Sequence, residues 1–387
     1  MKTCLLENAA VNLPGGTLEN AYILISNGRI ARISKQKVSS DETIDLNGLT
    51  LYAGFIDVHI HGAVGIDVNA ASADGLLKIA AFLARNGVTA WLPTLVPDSY
   101  DNYKRAIDAI DEVMRLQAGR PVAQAVGVHY EGIFANETMC GALRSKYFKS
   151  GQWAVGGGRL PRLKRGVHMM TLAPEIESGI ELIESLVADG WIVSIGHTQA
   201  DAATLDRAFA AGARHLTHFF NAMTGVHHRA IGVAGWGLAN RDVTFDIIAD
   251  GVHVHPNMLG LACRTKSAEK VSLISDSVAP TGLADGEYSL WGETVTVKNG
   301  RTENERGSIA GSVSTMLDGV KMMSSLGFSD VEVGQMAALN PAKLLGIDKT
   351  HGSIEVGKRA DLVGVDGEGN VAFTMIGGEM VVAEPPA

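Results

Sequence analysis

Six residues of this chain have the types and settings to do chemistry together. His59 and His61 stand in DVHIH, Glu131 in HYEG, His197 in SIGHT, His218 in LTHFF and Asp276 in LISD, each at or near the end of an apolar run. The spacing of two in DVHIH puts both histidines on the same side of an extended segment. Taken singly, each histidine is more often a structural or surface residue than a ligand. Four imidazoles, a glutamate and an aspartate converging on one place are a costly concentration of polar groups unless a cation satisfies them. The set therefore points to a divalent metal. Zn²⁺ is the first choice, with Fe²⁺, Mn²⁺ or Co²⁺ as alternatives, because ligand type does not separate these ions. Such a metal activates water and polarises a carbonyl oxygen, preparing hydrolysis of an amide or related bond. Asp276 is the natural proton carrier.

The elements that must position these residues read as repeated strand and helix. Eight apolar segments qualify as strands: YAGFIDVHIH, VTAWLPTLV, VAQAVGVHYEG, VHMMTLAPE, WIVSIGH, RHLTHFFNA, TFDIIADGVHVH and VSLISD. Stretches of helical period such as ADGLLKIAAFLARNG and YDNYKRAIDAIDEVMRL lie between them. Eight such units predict a (β/α)₈ TIM barrel, in which catalytic groups sit at the C-terminal ends of strands. An open doubly wound sheet is the rival, weakened because no GxGxxG follows the first strand. The first fifty residues read as β-hairpins, YSLWGETVTVKNGR as a further hairpin, and the tail from GSIEVGKR onward as β again. Neither terminal β segment has enough strands to stand alone. Residues 1–52 and 347–387 are therefore expected to form one small β-sandwich domain, with the hydrolase barrel spanning 53–346.

Composition excludes several functions. The 387 residues carry a formal net charge of −9 and no long Lys/Arg run, so a nucleic-acid partner is not expected. No window approaches a membrane span, and the start lacks the pattern of a signal peptide; the expectation is a cytoplasmic protein with no membrane partner. Three scattered cysteines, Cys4, Cys140 and Cys263, favour neither a disulfide framework nor a Cys-based zinc site. His227, His228 and His255 sit in loops, and His129 within HYEG reads as structural; all four are left out of the metal site.

Beyond the ligands, the segments GFIDVHIHGAVGIDV, HYEG, TLAPE, GHT, THFFNAM, ADGVHV, SDSVAPTG, IAGS and NPAKLLGI with GSIEVGKRADLV follow one another along nearly the whole chain. In this order they resemble the amidohydrolase superfamily, and more closely its N-acetylglucosamine-6-phosphate deacetylases and their N-acetylgalactosamine-6-phosphate counterparts. The resemblance implies hydrolysis of the N-acetyl group of an N-acetylhexosamine 6-phosphate, N-acetylglucosamine 6-phosphate first, to acetate and the amino-sugar phosphate. It implies that Glu131, His197 and His218 hold one metal, that His59 and His61 hold a second bridged by Glu131, and that Asp276 shuttles the proton. Members of the family use one metal or two. For the substrate it implies Arg229 and His253 as partners of the phosphate, with Asn221, Ala222, Ala310, Gly311 and position 143 nearby. In relatives the arginine loop reaches a neighbouring subunit, which implies a homodimer.

The chain departs from the family at two places. EGIFANETMCGAL has Ile133 where proline is usual and Leu143 where histidine is expected, and HRAIG has Ala230 and Ile231 in place of Glu-Pro. These changes leave the metal chemistry in place and put substrate preference in question. The alternatives are an N-acetylgalactosamine-6-phosphate deacetylase, another amidohydrolase acting on an N-acyl amino acid or cyclic amide, or a catalytically weak sugar-phosphate-binding homologue.

Overall fold

A computed structural model describes residues 2–381; the last six residues assigned to the small β domain lie outside the described residues. The barrel strands follow the apolar runs. Phe55–Ile60, Val88–Leu95 and Gly127–Phe134 are buried at every position, the texture of parallel strands covered on both faces. With Val167–Leu172, Ile192–Ile195, His215–Leu216, Thr244–Ile248 and Val271–Ile274 they pair in parallel, each with its neighbour in sequence. The ring closes beyond the last strand, where Asp276 N donates to His59 O at 3.0 Å and His61 N to Ser277 O at 2.8 Å. Closure is thus made by the residues that carry the chemistry.

Helices pack outside the strands as their apolar period requires. Ala73–Arg85 starts at Ser72, whose side chain accepts from Gly75 N, and buries Leu76, Ile79, Ala80, Leu83 and Ala84, a single face of a 3.6-residue period. Gly87 ends it at φ +83°, where an added Cβ would lie 2.9 Å from Val363 and 3.0 Å from Phe55. After Gly127–Phe134 the expected alternation fails: only the single turns Glu137–Met139 and Ser145–Tyr147 and the five-residue helix Gly151–Val155 precede the next strand. Glycines 156–158 and Pro161 in this stretch oppose a longer helix. Conversely, Gly232–Ala239 is a helix that its glycine-rich sequence did not announce.

The first three strands, Thr3–Leu13, Gly16–Ser26 and Arg29–Ser34, are successive hairpins, the second turning at Asn27-Gly28 with φ +51° and +71°, the asparagine-glycine chemistry of a tight turn. Glu42–Ala53 breaks the hairpin expectation by crossing back to pair with Thr3–Leu13 in parallel. The C-terminal strand Leu362–Val365 then joins Glu42–Ala53, and hydrogen bonding runs continuously through seven strands instead of breaking into two sheets. The YSLWGETVTVKNGR hairpin gains a third strand, giving the antiparallel set Gly286–Leu290, Glu293–Lys298 and Arg301–Asn304. It is inserted between the eighth barrel strand and the helix Met316–Ser325.

Candidate active site

All six chemistry-bearing residues meet at the mouth formed by the C-terminal ends of the barrel strands. His59 and Glu131 lie within their strands, and His61, His197, His218 and Asp276 lie one or two residues beyond theirs. Two triads result, His59 with His61 and Asp276, and Glu131 with His197 and His218, all buried. Glu131 touches both. Its Oε1 is 3.0 Å from His218 Nε2, 3.2 Å from His197 Nε2 and 3.3 Å from His59 Nε2, while Oε2 is 3.2 Å from His61 Nε2. Asp276 Oδ1 lies 3.2 Å from His61 Nε2 and 3.5 Å from His59 Nε2.

The donor set fits a cation. His59 and His61 bring their Nε2 atoms to 3.1 Å, as do His197 and His218; each pair has room for only one proton between its facing nitrogens, whereas a cation would take a lone pair from both. Burial opposes a charge on His61 and His218, yet hydrogen bonds donated to Asp276 and Glu131 raise His61 to about 10, and one donated to Glu131 raises His218 to about 9. Glu131, despite its own burial, is held well below the usual carboxylate range by His59, His197 and His218. The site therefore demands positive charge, which a divalent ion supplies while leaving the imidazoles neutral as ligands.

Residues behind the ligands hold their orientation. Asp246 is fully buried; it accepts from the His218 backbone N–H through Oδ1 and pairs with His215 Nε2 at 3.0 Å through Oδ2. His215 Nδ1 is fixed in turn by Thr244 Oγ1 at 2.7 Å. Asp57 Oδ1 accepts from His59 N at 3.2 Å, and burial pushes its carboxyl up to about 7. His197 Nδ1 donates to Met139 O at 2.8 Å. His129 is a strut: its ring joins Val58 O at 3.1 Å and Thr171 Oγ1 at 2.7 Å, and burial drives its pKa well below the ordinary histidine value. His197, His218, Ala222 and Asp276 all have φ between +34° and +51°, a left-handed backbone that costs energy in non-glycine residues and recurs at functional sites. Gly311, at φ +60°, backs Asp276: an added Cβ would lie 2.9 Å from the Asp276 carbonyl oxygen.

A cavity of about 320 Å³ opens onto the two triads. Leu143, Asn221, Ala222, His253 and Gly311 line it as expected. His253 Nδ1 is 2.6 Å from Asp250 Oδ2, which leaves Nε2 for a ligand. Two expected contacts are not brought there. Ala310 is buried at 1 % exposure between its neighbours Ile309 and Gly311, which do line the cavity. Arg229 is exposed on the 224–231 loop and does not line the cavity of its own chain. Trp291 was missed; its ring stands 5.3 Å from that of His61. The turn residues Trp291-Gly292 of a peripheral hairpin carried no sequence signal that they would reach the barrel mouth. Asp246 and His215 were missed as well, since within strands they carry no motif.

Comparison with known proteins agrees with this geometry. The model of the amidohydrolase family matches residues 50–381. The N-acetylglucosamine-6-phosphate deacetylase of Bacillus subtilis (strain 168) is 33% identical over 390 residues, covering 98% of this chain and 97% of the relative. The N-acetylgalactosamine-6-phosphate deacetylase of Escherichia coli O157:H7 is 35% identical over 366 residues, covering 94% and 96%. Among solved structures, the N-acetylglucosamine-6-phosphate deacetylase from Pasteurella multocida superposes with a TM-score of 0.88 at 28% identity, over 98% of this chain and 99% of that one. With a family match over most of its length, relatives covering nearly all of it and buried histidine-carboxylate triads at the barrel mouth, the chain belongs to the amidohydrolase family and is a hydrolytic enzyme.

Proposed function

We propose that this enzyme removes the N-acetyl group of an N-acetylhexosamine 6-phosphate, N-acetylglucosamine 6-phosphate first, giving acetate and the amino-sugar phosphate in amino-sugar breakdown. The observation that carries the reading is the pair of triads joined through Glu131, with Asp276 beside the cavity. The names of relatives matched end to end support the substrate class. The galacto epimer is the second reading, favoured by the 35% identity to the Escherichia coli O157:H7 relative.

His59, His61 and Asp276 would hold one divalent ion and Glu131, His197 and His218 another, with Zn²⁺ first and Fe²⁺, Mn²⁺ or Co²⁺ as alternatives. When bound, the metal supplies Lewis-acid polarisation of the amide carbonyl and acidifies water. The chain's residues do the rest. Asp276 is a carboxylate whose pKa lies below its ordinary value despite burial, because of His59 and His61; it accepts a proton from the attacking water and returns it to the departing amine. Asn221, the Ala222 backbone and His253 receive the polar end of the sugar phosphate.

No lysine or arginine lines the cavity among the described residues, so a phosphate dianion needs a cation from elsewhere. Arg229, exposed on its loop, would supply it to a second copy of the chain in a homodimer, where its planar fork matches phosphate oxygens. A cytoplasmic location accords with a phosphorylated substrate and with the absence, among the described residues, of a helix long and apolar enough to cross a membrane. The two-unit division at residues 52 and 347 accords with the separate apolar core around Leu6, Val11, Ile23, Leu51, Leu362 and Met375. Acetate release from the 6-phosphates of N-acetylglucosamine, N-acetylgalactosamine and N-acetylmannosamine tests the reading, and metal-loaded protein that releases none of it would refute it.

A further inference from the structure

The cavity wall at Gly141–Leu143 belongs to a loop with no long element to hold it, yet the loop is tied down on several sides. Asn136 N donates to His197 O at 3.0 Å, and Met139 O accepts from His197 Nδ1 at 2.8 Å. Arg144 Nη2 donates to Pro97 O at 2.9 Å and to Asp98 Oδ2 at 2.8 Å. A further tie comes from outside the barrel. Arg306 Nη2 donates to Ala142 O at 3.1 Å, while its Nε faces Glu293 Oε1 at 3.2 Å. Glu293 also accepts from Asn304 Nδ2 at 3.0 Å, so the inserted three-stranded sheet aims its own arginine.

That sheet carries Trp291, and the chain leaving it carries Ser308 and Ile309, all of which line the same cavity. Among the described residues no backbone hydrogen bond joins the 135–150 loop to residues 286–311. Arg306 therefore adds a polar tie between two walls that otherwise meet through apolar packing, Ala142 lying against the cluster of Leu290, Val295 and Ala310. Leu143 in the same wall is held by apolar packing. It is 3 % exposed and packs so closely on Gly132, at φ +72°, that an added Cβ there would fall 2.2 Å from Leu143 Cδ1.

We propose that Arg306 is a positioning residue for the substrate: with Glu293 it latches the Gly141–Leu143 wall to the three-stranded sheet and sets the shape of the cavity between them. The proposal rests on that cavity being the substrate site of the proposed deacetylase. The partly exposed ion pair with Glu293 contributes little by itself. What matters is the guanidinium-to-carbonyl link between segments far apart in sequence, which further restricts a loop whose regular structure is limited to the single turns Glu137–Met139 and Ser145–Tyr147. Arginine suits the task because one planar fork serves both acceptors, which a lysine ammonium cannot do in the same geometry.

Arg306→Met keeps the stem and removes the latch, with Arg306→Lys as the conservative control. Amide hydrogen exchange over residues 137–148 is measured alongside bound metal and the kinetics of acetate release from N-acetylglucosamine 6-phosphate. Arg306→Met is expected to exchange about tenfold faster in this loop and to raise KM about fivefold with kcat within about twofold, the scale of one hydrogen bond to a charged group. Metal content stays unchanged and Arg306→Lys falls between. Unchanged exchange in the loop, or a fall in kcat at constant KM, would overturn the proposal. A parent protein that releases no acetate defeats the functional reading, and the exchange measurement still decides the latch.

Discussion

Asp276 is the residue whose chemistry and position are hardest to replace. It closes the barrel through its backbone, sits at φ +51°, and turns a carboxylate held in its charged form toward His61 and the cavity. Replacing it by asparagine keeps the shape and removes the proton acceptor. In protein that is folded and metal-loaded, Asp276→Asn should lower kcat by about 10²–10⁴-fold, the range of general acid-base catalysis; an unchanged turnover in steady-state acetate assays would remove it from the mechanism.

The histidines set the pH response. In metal-free protein the raised pKa values of His61 and His218, about 10 and about 9, mean that protonation stabilises the fold. That contribution is complete below the ordinary histidine value and is lost as pH rises through about 9 and then 10. Metal ligation requires the neutral rings, so binding must expel protons and tighten as pH rises from about 6 towards 9. Calorimetric titration in buffers of different ionisation enthalpy should show net proton release near neutrality; proton uptake, or affinity that falls with pH in this window, would contradict the assignment.

At the scale of elements, two-residue strands and long loops do the positioning. His215–Leu216 is too short to fix His218 by sheet pairing alone, and Asp246 on the adjacent strand grips the His218 backbone and the His215 ring together. Asp246→Asn loses the charge-assisted acceptor, and should weaken metal binding about 10–100-fold, as is usual for partners behind metal ligands. Competition with a metallochromic chelator measures this, and unchanged affinity would make Asp246 a packing residue only. The ligands themselves were legible because each ends an apolar run, where period and run length both speak. Asp246 in TFDII and Asp57 in FIDVH were not, since a lone acid inside an apolar strand looks the same whether it is a strut or an edge residue. The missing helix after Glu131 and the reach of Trp291 were hidden for a related reason: glycine-rich segments and inserted hairpins have local rules but take their places from packing.

For the whole molecule, the proposed homodimer would bring the exposed Arg229 to a cavity that, among the described residues, no lysine or arginine of its own chain lines. The test is complementation. Arg229→Ala protein should bind the phosphorylated substrate poorly, and Asp276→Asn protein should turn over poorly. Co-folding the two in equal amounts should restore about a quarter of the parent activity, because half of the randomly paired dimers contain one intact site. Activity no greater than the sum of the separate variants would show that Arg229 does not act across subunits.

In the proposed reaction N-acetyl hydrolysis depends on metal held by the two buried triads. Acetate release from N-acetylglucosamine 6-phosphate, followed while chelated protein is titrated with Zn²⁺, tests it most directly. Metal-free protein should release none, and recovery should saturate at one or two ions per chain. Full activity without metal, or a saturated site that yields no acetate from any N-acetylhexosamine 6-phosphate, would contradict it.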